Sequence, residues 1–172
     1  MKMTVLSLVI LLFSCTGKKE YAAHQFDKAI PTTGCPKEGT CEIKTITGKT
    51  LILKTTESGD LYYELGDDKD KTVIIYSYTK TLPEKIQDAA YREEIVFEIT
   101  KDMRSSMVSD SALEQAKMLF GRFCYCKGST GYYKVKNGSL GIAVGKTTAE
   151  FNLRFKIGEV PQVLRNIGFT LK

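Results

Sequence analysis

The stretch "TAEFNLRFKI", residues 148–157, limits what this chain can become more than any other. Ala149, Phe151, Leu153, Phe155 and Ile157 alternate with Glu150, Asn152, Arg154 and Lys156. Successive side chains of an extended strand point to opposite faces, so this pattern is a strand with one apolar and one watered face. "EIVFEI" repeats it with Ile95, Phe97 and Ile99, and "TLILKT", "LYYEL" and "TVIIYSYT" are rich in β-branched and aromatic residues suited to strands.

Turn chemistry divides these runs. Thr47-Gly48-Lys49, Ser58-Gly59-Asp60, the charged run Asp67 to Lys71, and Gly145-Lys146 all read as connections. Asn137-Gly138, between "YYKVK" and "SLGIAV", is the strongest short hairpin signal, because both residues tolerate positive φ. "MLFGRFCYC" has strand composition, "LPEKIQDAAYREE" reads as a longer connection, and "EVPQVLRNIGFTLK" is compatible with a strand or a helical end. Ser111-Ala-Leu-Glu114 has the form of a capping box and predicts one short helix near 111–117. The expectation is a mainly β fold: a single antiparallel β-barrel or β-sandwich, built as a meander of about eight or nine strands.

The first residues follow another logic. Lys2 precedes an apolar run from Val5 to Phe13, interrupted only by Ser7. Such a run is too short for a spanning helix, which needs about 20 apolar residues, but matches the apolar part of an export signal. Leu12-Phe13-Ser14-Cys15 resembles the lipobox of bacterial lipoproteins. That resemblance implies cleavage before Cys15, with residues 1–14 a signal peptide, and acylation of Cys15. Two or three acyl chains anchor a protein stably where one does not. A plain signal peptide, with Cys15 an ordinary thiol, is the alternative. The implied home is the bacterial cell envelope, the outer membrane rather than the inner. Residues 15–34 then comprise the lipidated cysteine and a flexible linker, "TGKKEYAAHQFDKAIPTTG", and residues 35–172 the β-rich globular domain.

The sequence argues against several functions. Its formal charge of +5 is spread among interspersed charges of both signs, so it has no nucleic-acid footprint. The sole histidine, His24, lies in the linker, which leaves a serine or cysteine nucleophile in the domain without its usual base. Glu93 and Glu94 are adjacent on a strand and point apart, and Asp67-Asp68 falls in a turn, so neither pair makes a glycosidase-type acid pair. No enzyme and no cofactor are expected. Tyr62-Tyr63, Tyr76, Tyr78, Tyr91, Tyr125 and Tyr132-Tyr133 suit half-buried sheet positions, with one ring of each adjacent pair facing out.

Besides Cys15 there are Cys35, Cys41, Cys124 and Cys126. An even set in an exported chain favours disulfides. Same-face neighbours on an extended strand lie about 6.5–7 Å apart in Cα, which disfavours a local Cys124–Cys126 bond. If "CEIKTI" runs antiparallel to "FCYCKG", the pairing is Cys35–Cys126 with Cys41–Cys124. The alternative is a four-cysteine metal site or thiol-redox centre, which local bonding of Cys35 to Cys41 would bring forward. Two function classes follow: a non-enzymatic binding or scaffolding module for a protein or small-molecule ligand, or a metal or thiol-redox protein of the envelope.

Overall fold

The computed structural model describes residues 26, 28–82 and 90–172. The expected signal peptide at residues 1–14, Cys15 and His24 lie outside the described residues, as does most of "LPEKIQDAAYREE". The described chain forms ten strands in two antiparallel five-stranded sheets and one short 3-10 helix, so it is mainly β as expected. Among the described residues no helix is long and apolar enough to cross a membrane.

The strands are β1 (Ala29–Thr33), β2 (Gly39–Thr55), β3 (Leu61–Lys80), β4 (Tyr91–Thr100), β5 (Ser106–Ser109), β6 (Leu119–Cys124), β7 (Gly131–Lys134), β8 (Asn137–Val144), β9 (Ala149–Lys156) and β10 (Asn166–Leu171). One sheet runs β1-β10-β9-β8-β5 and the other β2-β3-β4-β6-β7. β3 also pairs with β7 through Leu61 and Tyr132, which closes β3, β4, β6 and β7 into a small barrel.

The main core lies between the sheets. β9 contributes Phe151, Leu153 and Phe155, all buried, while Glu150, Asn152, Arg154 and Lys156 are exposed, so the alternation is realised residue for residue. Phe151 stacks on Phe169 of β10 with ring centroids 4.6 Å apart, and Phe97 of β4 approaches both rings at 6.3 Å.

A second, smaller core sits on the opposite face of β4. Leu51, Val73 and Val96 are fully buried there, with Leu53, Tyr63 and Tyr132 packed around them. The long β2–β3 hairpin makes this possible. Its ladder shifts register where Thr47 pairs with Thr72 and Lys49 pairs with Asp67. The extra residues on β3 bend the hairpin, and its outer half folds back over β4. Thr47-Gly48-Lys49 and Asp67–Lys71 are thus irregularities inside continuous strands, not connections between strands. Ser58-Gly59-Asp60 is the hairpin turn, with the Gly59 N–H donating to the Thr56 carbonyl at 3.0 Å. Gly145 likewise sits in the β8–β9 turn, its N–H donating to Thr148 at 2.8 Å.

Three other expectations are corrected. Asn137-Gly138 opens β8 instead of turning a hairpin, because β7 and β8 belong to different sheets and the chain crosses between them. Gly138 has φ 153°, and a Cβ there would stand 2.3 Å from the Arg154 carbonyl oxygen, so close packing against β9 explains the glycine. The helix, Asp110–Ala116, is 3-10 and starts after Ser109, without a side-chain cap; Ser111 lies inside it. Finally, Ala29–Thr33 of the expected linker is β1, paired with β10. Pro31 is tolerated there because β1 is an edge strand and its ladder is irregular between Pro31 and Thr33.

Candidate functional site

β4 concentrates the chemistry. From Glu93 to Ile99 every residue is buried, three glutamates included. Burying a carboxylate is costly unless it is paired, and each of the three is. Glu93 faces the main core side, where it accepts the Val163 and Leu164 N–H groups at 2.7 Å each and the Tyr91 hydroxyl. Burial, then the bond to Glu93, pushes the Tyr91 hydroxyl up to about 12. Glu98 faces the barrel. Its Oε2 accepts from Thr50 Oγ1 at 2.6 Å, the Leu51 N–H at 2.9 Å and Lys117 Nζ at 3.1 Å, and Lys71 Nζ stands 3.2 Å from Oε1. Burial alone would raise its pKa, but these donors outweigh burial and hold the carboxyl below its ordinary value. Lys117 ends the helix in the left-handed conformation, φ 49°, which sends its side chain to Glu98.

Glu94 also faces the barrel, opposite to Glu93 as strand geometry requires, so the two share no substrate. It accepts from the Tyr132 hydroxyl at 2.5 Å and from Arg92 at 2.6 Å. Gly121 on β6 makes the room: a Cβ there would lie 2.8 Å from the Tyr132 ring and 3.0 Å from Glu94 Cγ. Tyr132 meets Tyr63 and Phe123 edge-on, each at 5.3 Å between centroids. Burial first, then Glu94, raises the pKa of Tyr132 and likewise that of Tyr63.

Arg92 connects this cluster to the surface. Its guanidinium lies 4.3 Å from the Phe123 ring centroid and is 46% exposed. Salt bridge and ring together fix the charge in a cation–π geometry. It stands on the wall of a cleft of about 510 Å³ at the ends of β3, β4 and β6, whose lining includes Leu82, Tyr91, Phe123, Cys124 and Tyr125. That volume is in the range of small-molecule pockets. Tyr125 is 88% exposed.

The cysteines are paired locally, Cys35 with Cys41 and Cys124 with Cys126. The crossed pairing fails because β2 and β6 are not neighbours. β3 and β4 lie between them, which sets the strands about 14 Å apart, well beyond disulfide reach. The local bond at Cys124–Cys126 is allowed because β6 ends at Cys124 and the chain bends at Tyr125, bringing the Cα atoms to 5.1 Å. Cys35–Cys41 is the bonding expected to bring the four-cysteine alternative forward, but the same separation denies the four cysteines a joint metal site, so of that alternative only thiol-redox chemistry at a single pair stays open. Loops this short withdraw about 2 kcal/mol each of chain entropy, against about 4–5 for the crossed bonds.

The remaining tyrosines depart from a simple in–out rule. Tyr76 and Tyr78 are buried, and of the pair Tyr132-Tyr133 one ring packs on each core. Asp67 pairs with Lys49 at 2.5 Å, and Asp68 accepts the Asp70 N–H at 3.0 Å. Arg92 and the buried face of β4 escaped the sequence reading; the one available signal was the trio of glutamates at Glu93, Glu94 and Glu98 within an otherwise apolar strand. No family model matches this chain, and no curated protein and no solved structure is significantly similar to it.

Proposed function

We propose that this is a lipid-anchored protein of the bacterial cell envelope, held at the outer membrane rather than the inner, and that its β domain is a non-enzymatic binding module. The apolar run ending in Leu12-Phe13-Ser14-Cys15 supports the anchor. The observation that carries the binding role is Arg92, held by Glu94 and Phe123 on the wall of an apolar cleft. A fixed cation beside aromatic surface suits a ligand with an apolar body and one anionic group, whether a small molecule or a protein side chain.

Metabolic labelling with a fatty acid is expected to mark the wild type and leave Cys15→Ala unlabelled and in the soluble fraction. Equal labelling of both refutes the anchor. An anilinonaphthalene sulfonate dye has the required ligand chemistry. Its affinity is expected to fall about tenfold, or about 1.4 kcal/mol, in Arg92→Ala. Unchanged binding in a folded Arg92→Ala removes the cleft from the reading.

A further inference from the structure

The two cystines differ in what surrounds them. Cys41 lies within β2, opposite Tyr78, and packs against the main core, which fixes one end of its bond although its partner Cys35 is exposed. Among the described residues packed on either core, Cys124 and Cys126 are not included. Cys124 instead lines the cleft beside Tyr91, Arg92 and Phe123.

The loop that carries this second pair is held by other bonds. Thr130 Oγ1 accepts the Cys124 N–H at 3.2 Å and donates to the Cys124 carbonyl at 3.1 Å. The Ser129 N–H donates to the Cys126 carbonyl at 3.2 Å, and Arg122 donates to the Ser129 carbonyl at 2.9 Å. None of these four bonds involves sulfur, so breaking the S–S bond leaves the loop its anchors. With one residue between the cysteines, the bond also closes the smaller of the two loops and contributes the less to chain entropy.

We propose that Cys124–Cys126 is a thiol–disulfide exchange site that acts on dithiol substrates reaching Cys124 through the cleft. A substrate thiolate attacks one sulfur of the pair, forms an intermolecular disulfide and expels the other sulfur as a thiolate. A second substrate thiol, deprotonated, attacks the substrate sulfur of that mixed disulfide. The substrate leaves with a new disulfide. Its two electrons stay on Cys124 and Cys126, which take up the two protons its thiols gave up. The reverse sequence, with the same atoms, reduces a substrate disulfide. Lys127, next to Cys126, and Lys80 on the lining of the cleft add positive charge, which favours an expelled thiolate.

The test is equilibration of the whole protein in glutathione buffers of graded reduced-to-oxidised ratio, followed by acid quench, alkylation and peptide mapping. Cys124–Cys126 is expected to open at a reducing strength about tenfold or more below that needed for Cys35–Cys41. Near-ultraviolet circular dichroism should stay native across that window. Cys126→Ser, which leaves Cys124 single, should form a mixed disulfide with glutathione, and that adduct should be resolved by a reduced two-cysteine peptide. Two pairs that open together, or loss of native dichroism as Cys124–Cys126 opens, would make the bond a structural one and overturn the proposal. So would a Cys126→Ser protein that takes up no glutathione. The exchange goes beyond the binding role and would add a redox activity to it; acylation at Cys15 and dye binding at Arg92 are read out separately, so failure of the exchange site and failure of the binding role are distinguishable.

Discussion

β4 and β9 carry similar alternating patterns and meet different surroundings. In β9 the polar set, from Glu150 to Lys156, faces water. In β4, Glu94 and Glu98 share one face with Val96 and alternate with Ile95, Phe97 and Ile99, yet both glutamates are buried, because the bent β2–β3 hairpin covers their face. The pattern of one strand reports what that strand tolerates. Whether its polar face meets water depends on a hairpin elsewhere in the chain. A carboxylate can occupy such a covered face because donors are covered with it: Thr50 and the Leu51 N–H of the hairpin for Glu98, and the Tyr132 hydroxyl of β7 with Arg92 for Glu94.

This contrast can be broken by substitution. The largest effect is expected in the shared main core. Phe151→Ala should cost about 3–5 kcal/mol in denaturant unfolding, since Phe151 is buried against Phe169 and Phe97. A small loss would mean that the sheets are not packed through these rings.

Next comes Glu98→Gln on β4, expected to cost about 1.5–3 kcal/mol at neutral pH, the range for hydrogen bonds to a charged group. Its pH dependence has a definite sign. The folded pKa lies below the ordinary 4.5, so the stabilisation is complete above that value and is lost as pH falls through the folded pKa. The gap between wild type and Glu98→Gln should therefore narrow below pH 4.5. A gap that stays constant or widens on acidification would show that Glu98 is not held as a carboxylate. The smallest effects belong to the watered face of β9: Asn152→Ala and Glu150→Ala should each change stability by about 0.5 kcal/mol or less. If Glu150→Ala costs as much as Glu98→Gln, the distinction between the two strands disappears.

Much of the architecture was legible in the sequence, and the failures share a cause. The alternation of β9, the strand composition of β6 and the turns at Ser58-Gly59-Asp60 and Gly145 depend on local preference, and each was read correctly. Gly48, Asp67–Lys71 and Asn137-Gly138 have turn chemistry too, but they serve a hairpin bend and a crossing between sheets, which only distant partners define. β1 was hidden because a short edge strand containing Pro31 has the composition of a linker. The disulfides were misassigned through one wrong neighbour: β2 pairs with β3, not with β6. Arg92 was invisible as a site residue because its importance comes from Phe123 across the ladder and Glu94 two residues on.

The pairing of β1 with β10 also orders events in time. The Lys28 N–H donates to the Lys172 carbonyl at 3.0 Å, and the Lys172 N–H donates to the Lys28 carbonyl at 2.8 Å, so the first strand and the tenth are zipped together. Apart from β1 and β5, the sheet that contains them is made of β8, β9 and β10. During synthesis, the barrel strands β3, β4, β6 and β7 can find one another while β10 is still unmade. β1 has to wait. Until β9 and β10 arrive, the inner face of the barrel sheet lacks Phe155, which covers Phe120, and Phe169, which covers Phe97. A chain at that stage would expose the barrel-sheet side of its main core, and it is then that aggregation or a chaperone would compete for it.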